Sequence, residues 1–381
     1  MQEKKYKEEW AFFELLRAGL WEKDVRLFPY GEINYEALLE LAEEQSVVGL
    51  VSAGIEHVTD SKPQKRDVLQ FIGRTVQLEQ KNQAMNSFIG ALVDKMRKEG
   101  IYTLLVKGQG VAQCYDRPQW RSCGDVDFFL DAENYEKAKA YLTPMAASVE
   151  DEYVREKHLG MTIAPWVVEL HGRLYSGLSN RIERELDKVY RETFGLEEFD
   201  GRGKNVRIWK DGETKVPLLA VENDAFYVFT HILQHFYKGG IGLRQICDWC
   251  RLLWTYRETL DVQKLESRLR SAGLMTEWRA FGAFAVEYLG MPVPVFPFYS
   301  NDSRWSRKAR RIQKFILMSG NFGHNRNQSD FQKYPYLVRK SISFGRRMGD
   351  LLRHALIFPL DSLRFFPKMT INGLQSTLRG E

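Results

Sequence analysis

Asp125-Val126-Asp127, followed about forty residues later by Glu169-Leu170-His171, are the residues of this chain whose types and spacing suit chemistry. Side chains alternate across a strand, so Asp125 and Asp127 share one face while Val126, Phe128 and Leu130 share the other. Two carboxylates fixed side by side repel each other. A divalent cation such as Mg2+ or Mn2+ is the usual relief, because hard cations prefer carboxylate oxygen. Glu169 adds a third carboxylate on its own strand, and His171, on the same face, reads as a partner that orients the metal-binding carboxylates. Three carboxylates on neighbouring strands are what two-metal phosphoryl transfer requires. Neutralising Asp127 by Asp127→Asn is then expected to leave the metal-free protein as stable as the parent or slightly more so, since like charges destabilise one another.

Two further features sit ahead of the carboxylates. Lys107-Gly108-Gln109-Gly110 is a tight turn, where backbone N–H groups can approach phosphates without a side chain in the way. Arg121 lies four residues before Asp125 and puts a cation within reach of phosphate oxygen. Lys107, Gly108, Gln109, Arg121 and His171 are therefore the candidate nucleotide-binding residues. Asp125, Asp127 and Glu169 are the candidate catalytic and metal-binding ones.

The elements that must position them are legible in outline. Tyr102–Val106 reads as a strand leading into the glycine turn, and a second strand carries Asp125 and Asp127. A helix follows to Leu142. Short strands between Ser148 and Ala164 put His158, Gly160, Thr162 and Ala164 on one face, and the Glu169 strand closes the core. Upstream, a long helix from Lys65 to about Glu99 carries Val68, Ile72, Val76, Ile89, Leu92, Val93 and Met96 on one stripe. Gly100 ends it, and the helix backs the sheet. Downstream the pattern is helical from Asn180, interrupted by a polar hairpin between Arg202 and Lys215 and resuming through 223–236, 241–256, 262–272 and 277–289. Prolines 292, 294 and 297 mark a boundary.

Taken together, Leu105-Val106-Lys107-Gly108, Tyr115, Arg121 with Gly124-Asp125-Val126-Asp127, and Val168-Glu169-Leu170-His171 resemble the DNA polymerase β-like nucleotidyltransferase superfamily. More closely, they are similar to its uncharacterised bacterial nucleotidyltransferase branch. Thr230 to His235 and Leu243 to Asp248 fit the same pattern, so the resemblance covers roughly residues 30 to 290. Gln109 stands where the superfamily often has Ser, and the spacer from the turn to Asp125 is longer than usual. The resemblance implies an α+β fold, a small mixed sheet of nucleotidyltransferase type flanked by N-terminal and C-terminal helical regions. It also implies transfer of a nucleoside monophosphate from an NTP to a hydroxyl acceptor, whether a small molecule, a glycan or a peptide. The expected segments are a helical platform over 1–99, a catalytic core over 100–178, a helical domain over 179–300 and a basic helical segment over 301–381.

Composition is that of a globular protein large enough to need no disulfide scaffold, and its four cysteines do not suggest a secreted one. The amino-terminal residues lack the apolar core of a signal peptide and no run is long enough to span a membrane, so a cytoplasmic location is expected. The net charge of +5 is unevenly spread: residues from 301 onward hold 16 basic against 5 acidic, leaving 39 against 45 before them. Arg346, Arg347, Arg353, Arg364 and Lys368, interleaved with Phe344, Leu351, Leu352, Phe358, Phe365 and Phe366, form a basic, aromatic segment. Such a segment packs on the protein's own body, or makes a peripheral contact with an acidic partner or membrane surface. No stable nucleic-acid complex is expected.

His231, His235, Cys247 and Cys250 match zinc in type and number. The cysteines, however, lie inside an apolar helical pattern, where free Cys packs as a small hydrophobe, and they are read as structural. The protein is therefore expected to purify without stoichiometric zinc. The two histidines, one helical turn apart, either line the cleft opposite the carboxylates or form a buried polar helix face. Two rival functions stay open: a catalytically inactive nucleotide-binding or antitoxin-like module, and a nucleic-acid-binding protein acting through the basic segment.

Overall fold

The computed structural model describes residues 2–195 (side chains from Lys7 on), 205–320 and 349–366. Seven strands form one mixed sheet: β1 (Leu104–Val106), β2 (Asp125–Phe129), β3 (Ser148–Val149), β4 (His158–Ile163), β5 (Trp166–His171), β6 (Val206–Asp211) and β7 (Thr214–Leu219). Their spatial order is β3-β4-β5-β2-β1-β7-β6, which puts β2 at the centre. β2 runs parallel to β5 and antiparallel to β1, and β1 runs parallel to β7. The fold is the expected α+β type with helices on both sides. The sheet does not close at the Glu169 strand, however. The polar hairpin continues it as β6 and β7, because β7 reaches back to pair Leu218 with Leu105. That pairing joins residues more than a hundred positions apart, and no local pattern encodes it.

The two faces of β2 set the layout. Val126, Phe128 and Leu130 point to the back, where they pack with Leu105, Met161, Val168 and Leu170. The helix Lys65–Lys98 covers this face with Ile89, Leu92, Val93 and Met96, and Ala132–Leu142 adds Tyr135 and Leu142. The long helix is well ended for its length. Asp67 lies in its first turn and Lys95, Arg97 and Lys98 in its last, each sign opposing the helix dipole. Gly100, at φ +70°, then turns the chain into β1. Its amino-terminal half corrects the expected stripe: Phe71 and Thr75 are the buried residues, while Ile72 and Val76 are about half exposed. That half rests chiefly on the helix Val48–Glu56, with Thr75 Oγ1 bonded to Ser52 Oγ at 2.8 Å, so only a narrow stripe of it is covered.

The front face of β2 carries Asp125, Asp127 and Phe129. Phe129 packs against Tyr190 and Phe194 of the helix Asn180–Phe194, with ring centroids 5.9 and 4.7 Å away. The helices Val221–Lys238 and Leu243–Thr255 roof the rest of this face. One continuous hydrophobic cluster joins the amino-terminal helices, these roof helices, Met275–Leu289 and Ser303–Ser319, so the core does not divide where the composition does. Among the described residues no helix is long and apolar enough to cross a membrane.

The part of the basic segment that is described, helical over 349–357 and 359–366, packs on the body. Phe358 and Phe365 are fully buried, and the His354 ring lies 4.7 Å from that of Phe236 and 4.8 Å from that of Phe315. Arg364 donates to the carbonyls of Ala272 and Gly273, capping the helix Val262–Ala272. Phe344, Arg346, Arg347 and Lys368 lie outside the described residues. Burial of Phe358, Phe365 and Ile357 contributes roughly 5–8 kcal/mol. A chain truncated before residue 349 is therefore expected to melt well below the parent; an unchanged melting temperature would show that this packing contributes nothing.

Candidate active site

Register brings the acids together. Asp127 pairs with Val106 on β1 and with Glu169 on β5, and residues paired across neighbouring strands project their side chains to the same face. On the far side of β5, Glu169 pairs with Gly160 and His171 with His158. Asp125, Asp127, Glu169, His171 and His158 thus share the front face of three adjacent strands.

Lys107 sits over them. Its backbone takes φ +57°, a conformation rare and strained for a residue with a side chain. Its Nζ lies 2.7 Å from Asp127 Oδ1. His171 Nε2 donates to the same oxygen at 2.8 Å and stands 3.4 Å from Glu169 Oε2, which also lies 3.2 Å from His158 Nε2. Burial works against the Lys107 charge, but Asp127, with Glu169 and Asp125 behind it, outweighs burial and holds the ammonium charged. His171 is likewise buried, and its bonds to Asp127 and Glu169 raise its pKa above the ordinary value. Glu169, despite burial, is held far below the usual carboxylate range by His158, His171 and Lys107. Asp125 moves the other way: the Asp127 charge first, and burial second, raise its pKa. The cluster therefore remains short of positive charge at Asp125.

This geometry corrects the expectation for Asp127→Asn. Asp127 is 2 % exposed and is the shared acceptor of Lys107 and His171, so neutralising it leaves the largely buried Lys107 ammonium without its partner and weakens the acceptor of His171. Asp125 is the residue whose charge is opposed by its neighbours.

The acids open into a cavity of about 300 Å³. Lys107, Asp125, Asp127, Glu169 and His171 line its floor, and Tyr227, His231, His235, Arg244 and Asp248 its roof. A hollow of about 500 Å³ beside Trp21 and Trp254 touches none of the candidate residues. His231 and His235 do line the cleft, with their Nε2 atoms 3.0 Å apart. Burial first, and Lys107 next, lower both pKa values, His235 to about 4, so at neutral pH the roof offers uncharged imidazoles. They do not meet the cysteines in a metal site: among the described residues the cluster able to hold a metal is His158, Glu169 and His171. Cys247 and Cys250 are fully buried on Leu243–Thr255, and burial raises both thiol pKa values.

Arg121 lines the cavity but is already engaged. Its Nε and Nη2 fork onto Asp248 at 3.0 and 2.6 Å, and Tyr115 Oη donates to the same carboxylate at 2.7 Å. Tyr115 and Arg121, close in the chain, thus form one buried network with Asp248, which lies 127 positions beyond Arg121. Arg121 Nη1 and Arg244 Nε have no hydrogen-bond partner among the described residues. Gln109 does not reach the cavity. Its side chain is buried against the long helix, with Nε2 3.2 Å from Asn82 Oδ1. Gly108, at φ +40°, lines the cavity as the first residue of a five-residue helix. Arg244, Tyr227 and Glu156, to which no motif assigns a role, also line the cavity. His158 lies there too, on the strand face expected of it and likewise outside any motif.

A family model described as an uncharacterised nucleotidyltransferase matches residues 31–290. The chain belongs to that family. No curated protein and no solved structure matches it. In this nucleotidyltransferase the matched span takes in every strand of the sheet, the long helix behind it and both helices that roof the cavity.

Proposed function

We propose that the protein transfers a nucleoside monophosphate from an NTP to a hydroxyl of a small-molecule, glycan or peptide acceptor, releasing pyrophosphate. The observation that carries this reading is the register that sets Asp127 beside Glu169, with Asp125 two residues away on the same face of the cavity floor. The donor set fits a hard divalent cation: three carboxylates share one face of the cavity floor, and the charge on Asp125 is opposed rather than satisfied by its neighbours. Asp125, Asp127 and Glu169 would hold Mg2+ or Mn2+. A divalent cation held there would supply charge neutralisation at the phosphates and make the acceptor hydroxyl more acidic.

The remaining work falls to the chain's own side chains. Lys107 faces the phosphates from the floor as a permanent cation. Arg121 Nη1 and Arg244 Nε, donors without a partner among the described residues, suit anionic oxygen. Glu169, held ionised, orients the attacking hydroxyl, whose proton passes to solvent. The hydroxyl oxygen bonds to the α-phosphorus while the bond from that phosphorus to the bridging oxygen breaks, and pyrophosphate leaves with the electron pair. Tyr227 and the neutral His231–His235 pair wall the cavity and limit competing water.

Melting curves with each of the four NTPs, with and without Mg2+ or Mn2+, test this reading. A ligand that binds only the folded chain at a hundred times its Kd adds about 2.7 kcal/mol. At least one NTP is expected to raise the melting temperature, and only when metal is present. Superimposable curves for all four NTPs with either metal would overturn the assignment.

A further inference from the structure

The sheet face holds more ligand atoms than the three carboxylates account for. His158 and His171 are cross-strand partners on β4 and β5, their rings lie 4.7 Å apart, and Glu169 Oε2 stands 3.2 Å from one Nε2 and 3.4 Å from the other. All three ligand atoms lie within 4.8 Å of one another. Atoms bound about 2.1 Å from a common ion in tetrahedral or octahedral geometry stand roughly 3.0–3.4 Å apart. The two nitrogen–oxygen separations already have that value. The cluster also faces open space, since His158, Glu169 and His171 all line the cavity. Gly160, the partner of Glu169, leaves its side-chain space to Glu150: a Cβ there would lie 2.5 Å from Glu150 Oε2, so a fourth carboxylate lies against the same strand.

We propose that His158, Glu169 and His171 form a two-nitrogen, one-oxygen site for a borderline divalent cation such as Mn2+, Co2+ or Zn2+, selecting it over Mg2+; the zinc-free expectation drawn from His231, His235, Cys247 and Cys250 does not extend to these residues. Imidazole suits these ions, whereas Mg2+ demands oxygen. Three protein ligands leave a position open toward the cavity for water or substrate. When the ion enters, the His171 Nε2–H bond to Asp127 is replaced by a bond from Nε2 to the metal, and the proton passes to solvent. The site shares Glu169 with the proposed transferase reading and deepens it, by giving the acceptor-side position a metal preference that carboxylates alone would not impose.

Co2+ titration of the full chain tests this without turnover, since visible absorption of the bound ion reports nitrogen ligation directly. The parent is expected to bind Co2+ with these bands, and Zn2+ to displace it. His158→Gln, at a side chain 22 % exposed and so tolerant of exchange, is expected to weaken Co2+ binding about 10–100-fold. His158→Asp should bind Co2+ weakly and Mg2+ more tightly than the parent, which a mere folding defect could not produce. Equal Co2+ affinity in the parent and His158→Gln, or no change of preference in His158→Asp, would overturn the site. Absence of any NTP-dependent stabilisation alongside normal Co2+ binding would instead sink the transferase reading alone.

Discussion

Asp125→Asn is expected to reduce nucleotidyl transfer by about 10³-fold or more, since a metal contributes several kcal/mol of charge stabilisation in the transition state and each 1.36 kcal/mol is a factor of ten. The same substitution is expected to leave the metal-free protein at least as stable as the parent. Asp127 first, and burial second, raise the Asp125 pKa above its ordinary value of 3.8, with Lys107 only partly opposing them. A carboxyl whose pKa is higher folded than unfolded binds more protons in the folded state. Its contribution to stability is intact below the ordinary value and falls as pH rises through the raised one. The melting temperature of Asp125→Asn relative to the parent should therefore increase as pH rises from below 3.8 through that window. With metal and NTP the ranking should reverse, the parent gaining stability and the variant gaining little. Melting curves of both proteins across pH, with and without metal-NTP, together with pyrophosphate release, measure all of this. Equal metal-NTP stabilisation in both proteins would show that Asp125 holds no metal.

Asp127→Asn is the poorer instrument, and the reason lies in partners that the sequence reading could not pair. Lys107 and His171 both bond to Asp127 Oδ1, and Lys107 is itself mostly buried. Removing one partner of a buried ion pair costs about 3–5 kcal/mol, because the other charge stays out of water uncompensated. Lost activity in that variant would mix chemistry with folding.

What the sequence made legible follows the range of the interactions. Alternation along one strand is local, so Asp125 with Asp127 and Glu169 with His171 could be placed on shared faces from the residues alone. The mutual register of β2 and β5 is not local, and only the whole set of motifs suggested that the two strands would be neighbours. His158 was within reach. β4 and β5 are joined by the two-residue turn Ala164-Pro165, which pairs Ile163 with Trp166, and counting outward pairs Gly160 with Glu169 and His158 with His171. Reading the segment as short strands without fixing that turn left His158 without a role. The β6–β7 hairpin was visible as a hairpin, but its docking on β1 depends on packing between distant segments. Gln109 sits in the right turn and still faces away, because the long helix offers Asn82 as its partner. Motif spacing does not contain that helix.

The network of Tyr115, Arg121 and Asp248 separates a structural role from a binding one, and the separation can be measured. Arg121 and Asp248 are both almost fully buried. Asp248→Ala is expected to cost about 3–5 kcal/mol by leaving the guanidinium unpaired, and Tyr115→Phe only about 1 kcal/mol for one hydrogen bond. The double variant Arg121→Met/Asp248→Leu removes both charges at once, and buried ion pairs replaced by apolar residues of similar size are often neutral in stability. It should therefore recover most of what Asp248→Ala loses. If Arg121 serves only the fold, the double variant will show the full melting shift of the parent on adding metal and NTP. The cavity position of Arg121 and its Nη1, which has no partner among the described residues, point the other way. The double variant is expected to fold and melt near the parent yet lose most of the metal-NTP shift, because a cation lining the cavity has been removed while the packing around it survives. A full shift in that variant would assign Arg121 to the scaffold and leave Lys107 and Arg244 to meet the phosphates.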